Sequence, residues 1–464
     1  MTDRRRPKRT GLIALRVGVQ AAGLGAFVYL AVGARRGWPS PVPYDAFLRL
    51  DPLAWLLGSA ASRGPAPWGW IALALVLVAA VFGRVFCGWV CPLGTVIDGV
   101  GRLRGRWAGV RVPRKVSRAR FWVFGALLGG AAAGANFGGW LDPLAMSFRA
   151  LHLGRGVWQG SFVAAISLAL VAAAVGLALL APRLWCRAVC PLGAALSLPA
   201  WLAPYRRRTG GSCTECGACL GACPMGNTPA DSSPTRCIGC RRCEASCGQQ
   251  ATALGFARGP VHERRGAEGT RRTDLSRREL LASMIAGAGA GLLVRRRASS
   301  GPLRPPGALT EPEFVGRCIG CGTCLAMCPT GGLLPLVRAD RLDGVFTPHL
   351  VPRVGVCLPD CTACGKACPT GAIAGIHPAD KPRVPIGLAA IDRSLCLPWA
   401  RDDRCLICAD ACPRQYSAIE LRPTGTGIPR PYVVSSRCTG CGVCEHDCPE
   451  TAVRVAAISE IRDR

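Results

Sequence analysis

Thiols dominate the chemistry this sequence could do: 28 of its 464 residues are cysteine, and all of them belong to patterns. Twenty-four form six groups of four. These are Cys213, Cys216, Cys219 and Cys223; Cys237, Cys240, Cys243 and Cys247; Cys318, Cys321, Cys324 and Cys328; Cys357, Cys361, Cys364 and Cys368; Cys396, Cys405, Cys408 and Cys412; and Cys438, Cys441, Cys444 and Cys448. Gaps of two, two and three residues with a following proline let three thiolates reach one four-iron cubane while the fourth reaches its neighbour. Proline follows Cys223, Cys328, Cys368, Cys412 and Cys448, whereas Cys247 precedes Gly248. Four-cysteine zinc sites instead show two separated two-cysteine knuckles, so the groups read as ligands of six 4Fe–4S clusters.

For the first two groups the exchange rule predicts one cluster on Cys213, Cys216, Cys219 and Cys247, and another on Cys237, Cys240, Cys243 and Cys223. Further on, three residues separate Cys357 from Cys361 and eight separate Cys396 from Cys405, which leaves the pairing there open. The other four cysteines form two pairs, Cys87 and Cys91 in FCGWVCPLG, and Cys186 and Cys190 in CRAVCPLG. Two thiolates complete neither a cubane nor a tetrahedral ion, but the two pairs together supply four. Cys91 and Cys190 precede proline, a helix start whose dipole favours thiolate. A joint metal centre, a redox-active thiol site and plain packing are the three readings.

Four apolar stretches could position these groups in a membrane: about Gly11 to Gly33, Trp68 to Gly83, Phe121 to Gly138 and Ser161 to Ala181. The second and third are short or glycine-rich against the roughly 20 residues a span needs. MTDRRRPKRT and GRLRGRWAGVRVPRKVSRAR are heavily basic, and the stretches after the first and third spans are less so, which predicts a cytoplasmic N-terminus. LDPLA at 50–54 recurs at 141–145, and each copy is followed by a span and a CPLG pair. The unit therefore reads as two helical hairpins related by duplication, with a shared site at their interface.

The expected fold is an α-helical membrane domain of four spans with an internal two-helix repeat, joined to small α+β modules of the bacterial ferredoxin kind. Its parts are the membrane domain at 1–205, a two-cluster ferredoxin at 206–255, a basic linker at 256–300 and a four-cluster polyferredoxin at 301–464. In the linker, Arg277 and Arg278 stand before a weakly apolar run, Leu280 to Val294, the layout of a twin-arginine export signal. A basic linker with a short soluble helix is the plainer reading, and Arg295 to Arg297 oppose translocation. A domain that must acquire its metal before crossing a membrane favours export of a folded protein.

The formal charge of +29 suits nucleic acid or an anionic membrane surface. Basic residues beside apolar spans and cysteine groups favour the membrane, with no nucleic-acid partner. No haem-attachment motif and no glycine-rich nucleotide loop occurs. Asp51 and Asp142, each before a proline, read as helix N-caps, with proton transfer as the sharper alternative. Arg16 and Gln20 lie in the first span, where they can face a site or another helix, or where Arg16 can snorkel.

Residues 1 to about 255 resemble the NapH and MauN membrane iron–sulfur proteins through FCGWVCPLG, CRAVCPLG and two cysteine fours. From about 270 to 464 the chain resembles NapG and MauM through LRPPGAL, CIGCGTCLAMCP, IGLAAIDRSLC and CTGCGVCEHDC. The fusion of the two is this sequence's departure. The resemblance implies a quinol dehydrogenase component in the inner (cytoplasmic) membrane. The first ferredoxin module would be cytoplasmic and the polyferredoxin periplasmic, with lipid, the quinol pool and a redox protein, a periplasmic reductase or cytochrome, as partners. The alternative is a maturation factor or copper reductase, like the nitrous-oxide-reductase regulator NosR or the oxidase-maturation reductase.

Overall fold

The computed structural model describes residues 6–103, 112–153, 162–227, 233–256, 276–295, 301–337, 342–425 and 427–458. The basic segments 1–5 and 104–111, the linker residues 257–275, and Arg296 and Arg297 lie outside the described residues.

The duplication is deeper than a two-helix hairpin, because each half of the N-terminal unit lays out six helices in the same order. The first half runs Arg6–Arg36, Ala46–Arg49, Pro52–Ser62, Gly69–Phe82, Val85–Trp89 and Pro92–Leu103. The second runs Arg114–Ala132, Gly138–Leu141, Pro143–Leu153, Phe162–Leu180, Leu184–Ala188 and Pro191–Ala195. Asp-Pro and Cys-Pro set the starts. Asp51 accepts from the Leu53 amide at 2.9 Å and Asp142 from the Ala145 amide at 2.6 Å, so the capping expectation holds at both positions.

Most of the residues that the Gly69–Phe82 and Phe162–Leu180 helices bury are small, with Leu75 and Val163 the larger exceptions, and many of their large residues are exposed. Ala72, Ala79, Ala164, Ala174 and Ala178 face inward, while Trp70, Leu73, Leu77, Phe162, Leu179 and Leu180 face outward. This ordering suits a lipid surround, where helices gain by close backbone approach and not by hiding large side chains from water. By length and composition, Gly11–Arg36 and Phe162–Leu180 are long and apolar enough to cross a membrane, and Gly69–Phe82 is shorter. Of the four expected spans, then, these two pass that test.

The Arg277–Arg295 helix joins this body. It runs parallel to Arg114–Ala132, with Gly125 opposite Ser283, Gly129 opposite Met284 and Gly291 opposite Gly130 and Ala133. A Cβ on Gly129 or Gly287 would overlap the facing backbone. Small residues at these positions let the two backbones touch, the packing found between membrane helices.

Two groups of ferredoxin modules cap opposite ends. β1 (Tyr205–Thr209) and β2 (Thr252–Phe256) pair antiparallel and enclose the first two cysteine groups. Past the Arg277–Arg295 helix come three more antiparallel pairs. β3 (Leu333–Pro335) pairs with β4 (Pro348–Leu350), β5 (Gly387–Ile391) with β8 (Val453–Ala457), and β6 (Ile419–Arg422) with β7 (Arg430–Val433).

At the CPLG end, Gly88 packs on Ile238 and Trp89 Nε1 donates to the Gly239 carbonyl at 3.1 Å. At the LDPLA end, Asn136 donates to the Gly316 carbonyl at 2.8 Å, Arg149 to the Gly320 carbonyl at 3.0 Å, and Arg317 to Ser62 Oγ at 3.1 Å. One apolar core runs through the helical unit from Ile238 and Cys240 to Ile319 and Cys321.

Candidate redox site

Each ferredoxin loop is bent where its cysteines need to converge. The residue before the second cysteine has positive φ in four groups, at Glu215 (57°), Gly239 (65°), Gly320 (59°) and Gly440 (73°). The residue after that cysteine does so again, at Gly217, Arg241, Gly322 and Gly442. Glycine takes this conformation without strain, so Glu215 and Arg241 are the strained exceptions. A one-turn helix then carries the third cysteine: Cys219 in Ala218–Gly221, Cys243 in Arg242–Ala245, Cys324 in Thr323–Ala326 and Cys444 in Val443–His446.

The fourth cysteine of each group crosses over. Cys219 lies within electrostatic reach of Cys213 and Cys247, while Cys237 and Cys243 lie within reach of Cys240 and Cys223. The later groups, whose pairing the spacing leaves open, follow the same rule. Cys368 joins Cys318, Cys321 and Cys324, and Cys328 joins Cys357, Cys361 and Cys364. Cys448 joins Cys396, Cys405 and Cys408, and Cys412 joins Cys438, Cys441 and Cys444.

Two of these sets line cavities of their own. One is walled by Cys328, Cys357, Cys361 and Cys364, and the other by Cys412, Cys438, Cys441 and Cys444. Among the described residues, no three His, Cys, Asp or Glu side chains are arranged to hold a single metal ion. A cubane spreads its ligands more widely than one ion does, and the four-thiol cavities suit it.

Burial, then neighbouring thiols, push Cys237, Cys243, Cys364 and Cys408 up to about 12. Such thiols become thiolates only beside a compensating cation, which a metal–sulfur core supplies. Direct backbone donors decorate the sulfurs: Asn227 to Cys223 at 3.4 Å, Ile373 to Cys368 at 3.4 Å and Ala418 to Cys412 at 3.3 Å.

The two remaining pairs meet. Cys87, Cys91, Cys186 and Cys190 are all buried, Cys91 lies within reach of Cys87 and Cys186, and Cys190 within reach of the other three. Their surroundings contain residues that sequence reasoning missed. Arg183 donates to Asp98 at 2.8 and 2.9 Å and to the Cys87 carbonyl at 2.7 Å. Arg16 also binds Asp98, and Gln20 reaches it at 3.0 Å. Arg16 is therefore fully buried and does not snorkel. Burial alone would raise Asp98, but the Arg183 and Arg16 guanidiniums hold it well below the usual carboxylate range. The available signal was the duplication: Arg84 and Arg183 each stand three residues before the first cysteine of a pair.

At the other end of the unit the two caps face each other. The Asp51 and Asp142 carboxyls meet side to side, and among the described residues Asp51 Oδ2 and Asp142 Oδ1 have no other partner. Burial raises Asp51 to about 6, and burial with the Asp51 charge raises Asp142 well above the carboxylate range. Two carboxylates sharing a site do not both ionise, so the pair holds a proton.

Loops, thiol sets and small antiparallel modules together define a multi-cluster ferredoxin-type protein, and comparison with known proteins agrees. A 4Fe-4S binding domain matches residues 65–111 and 163–209, and 4Fe-4S dicluster domains match 236–333, 317–372 and 403–452. The methylamine utilization ferredoxin-type protein MauM of Paracoccus denitrificans is 37% identical over 164 residues, 33% of this chain and 70% of the relative. Ferredoxin-type protein NapG of Escherichia coli is 38% identical over 174 residues, 35% of this chain and 74% of the relative. MauN of Methylorubrum extorquens is 34% identical over 194 residues, 40% of this chain and 62% of the relative. No solved structure matches. The chain belongs to the MauM and NapG family of ferredoxin-type electron-transfer proteins, fused to a ferredoxin-type protein like MauN.

Proposed function

We propose that this protein is a membrane-bound quinol-oxidising electron-transfer component, with six 4Fe–4S clusters held by the exchanged cysteine sets. The observation that carries the reading is the placement of ferredoxin modules at both ends of one helical body with a continuous core. Bound clusters accept and release single electrons, so modules at both ends suit transfer between a lipid-soluble donor and an aqueous redox protein. The residues of the chain do the positioning: Trp89, Arg149 and Asn136 fix each module against the helices through backbone carbonyls.

The proposed site is the cytoplasmic membrane, with the CPLG end inside and the LDPLA end outside. Three parallel helices begin at the CPLG end in basic residues: Arg6, Lys8 and Arg9; Arg114 and Lys115; Arg277 and Arg278. That arrangement follows the positive-inside bias. The Arg277–Arg295 segment then serves as an uncleaved anchor that takes the last four cysteine groups to the periplasmic face, where a reductase or cytochrome meets them.

Quinol added to anaerobic membrane vesicles is expected to reduce these clusters, seen as new low-temperature EPR signals. If the clusters stay oxidised while the same vesicles reduce Cu(II), the metal-reductase alternative replaces this reading. The meeting of the four paired cysteines is the observation that favours that alternative.

A further inference from the structure

The six exchanged sets leave Cys87, Cys91, Cys186 and Cys190 without a role, and the structure places these four in one buried site bridging the two halves. A cradle surrounds them that repeats with the duplication. Each half sends an arginine across to the other half's CPLG glycine. A Cβ on Gly193 would lie 2.5 Å from Arg84 Nη2 and 3.5 Å from Cys190 Sγ, and one on Gly94 would lie 3.5 Å from Arg183 Nη2. The glycines keep the guanidiniums close to the thiols. The Gly94 amide donates to Cys91 Sγ at 3.5 Å and the Gly193 amide to Cys190 Sγ at 3.3 Å, the same decoration seen at the ferredoxin cysteines.

The symmetry breaks at one charge. Arg183 has the Asp98 carboxylate. The residue corresponding to Asp98 in the second half is Ser197, whose hydroxyl bonds the Gly193 and Thr235 carbonyls. Arg84 is fully buried and, among the described residues, has a single long bond, Nη1 to the Thr235 carbonyl at 3.5 Å, and no partner for its Nε and Nη2. A buried guanidinium with no anion is strongly unfavourable, so its site calls for a negative neighbour. Four thiolates around a cubane leave a net charge of roughly −2, which supplies one. The 4Fe-4S binding domain matches the two stretches separately, and each contributes half of a cubane's ligand set.

We infer that Cys87, Cys91, Cys186 and Cys190 jointly hold a seventh 4Fe–4S cluster, with Arg84 as its counter-ion. The inference rests on the iron–sulfur reading of the chain. The site adjoins the set of Cys223, Cys237, Cys240 and Cys243, since Gly88 next to Cys87 packs on Ile238 and Arg84 reaches Thr235. The row of clusters thereby extends from the first ferredoxin module into the helical unit.

Iron and acid-labile sulfide counted on the full-length protein, purified anaerobically and reconstituted, test it. Seven clusters give about 28 irons per chain and six give about 24. Cys91→Ser, Cys190→Ser and the double variant are each expected to lose the same number, about four. A wild-type count near 24 that all three variants leave unchanged overturns the seventh cluster and leaves the six-cluster reading standing. A wild-type count far below 24 overturns the six-cluster reading itself. Loss of a single metal ion, or losses that add between the two halves, also overturns the joint cluster. Arg84→Gln keeps every ligand. It is expected to leave the iron count at about 28 and move one centre, missing in Cys91→Ser, to a lower midpoint potential in an EPR-monitored titration. No shift in any centre rejects Arg84 as the counter-ion.

Discussion

Asp51 and Asp142 show how one residue type can serve two ends. Each carboxylate caps its helix with one oxygen and faces its twin with the other. The folded pair binds a proton more tightly than the unfolded chain, whose carboxyls titrate near 4. The Asp51 part of its stabilising contribution is therefore complete below about pH 4 and lost as pH rises through the Asp51 value of about 6, while Asp142, raised further, keeps its proton across that window. Thermal unfolding of the detergent-solubilised protein should show a loss of roughly 3 kcal/mol across that window. Asp51→Asn keeps an N-cap side chain and removes the group that titrates in that window, so it should flatten the dependence. An unchanged slope in that variant would assign the pH effect to other groups. The two caps were legible in the Asp-Pro dipeptides. Their meeting was not, since it depends on the packing of two helices ninety-one residues apart in sequence.

At the scale of elements, the glycine-lined contact between Arg114–Ala132 and Arg277–Arg295 makes the sharpest prediction. Gly129 has the Met284 backbone against it, and Gly289 on the second helix has nothing within 4 Å. Gly129→Leu should force the helices apart at a cost of roughly 3 kcal/mol or more, and Gly289→Leu should be tolerated. Protease sensitivity of the linker in membranes measures the difference. Equal sensitivity in both variants would mean that the helices do not pack this way. Sequence showed the arginine pair and the apolar run but not their destination, because small residues mark a contact surface without naming its partner. The ferredoxin loops are the opposite case. All six groups were readable from spacing, and in four of them successive gaps of two residues fix the turn. The sets containing Cys357 and Cys396 needed the fold, because their spacings are irregular and Cys328 and Cys448 reach them from other loops.

For the whole molecule, the orientation proposed above gives opposite ends to opposite compartments. A reporter fused after Arg464 should read periplasmic, and Arg277→Lys with Arg278→Lys should abolish that reading. A cytoplasmic reading with the native arginines would sink the export of the C-terminal half. The general plan, a helical unit with ferredoxin modules, was visible in the order of apolar stretches and cysteine groups. The cradle of Arg84, Arg183 and Asp98 was not, because it is made by side chains crossing between halves about a hundred residues apart.

The parallel Arg277–Arg295 helix also changes the kinetics of assembly. Two separate ferredoxin proteins in a membrane meet at a rate set by how many of each are present, and dilution or unequal synthesis leaves some without a mate. Here one polypeptide threads both, so the encounter is intramolecular and its effective concentration is fixed by the chain. The two ends are made in equal number and, as long as the chain is intact, stay coupled however sparsely the protein is expressed.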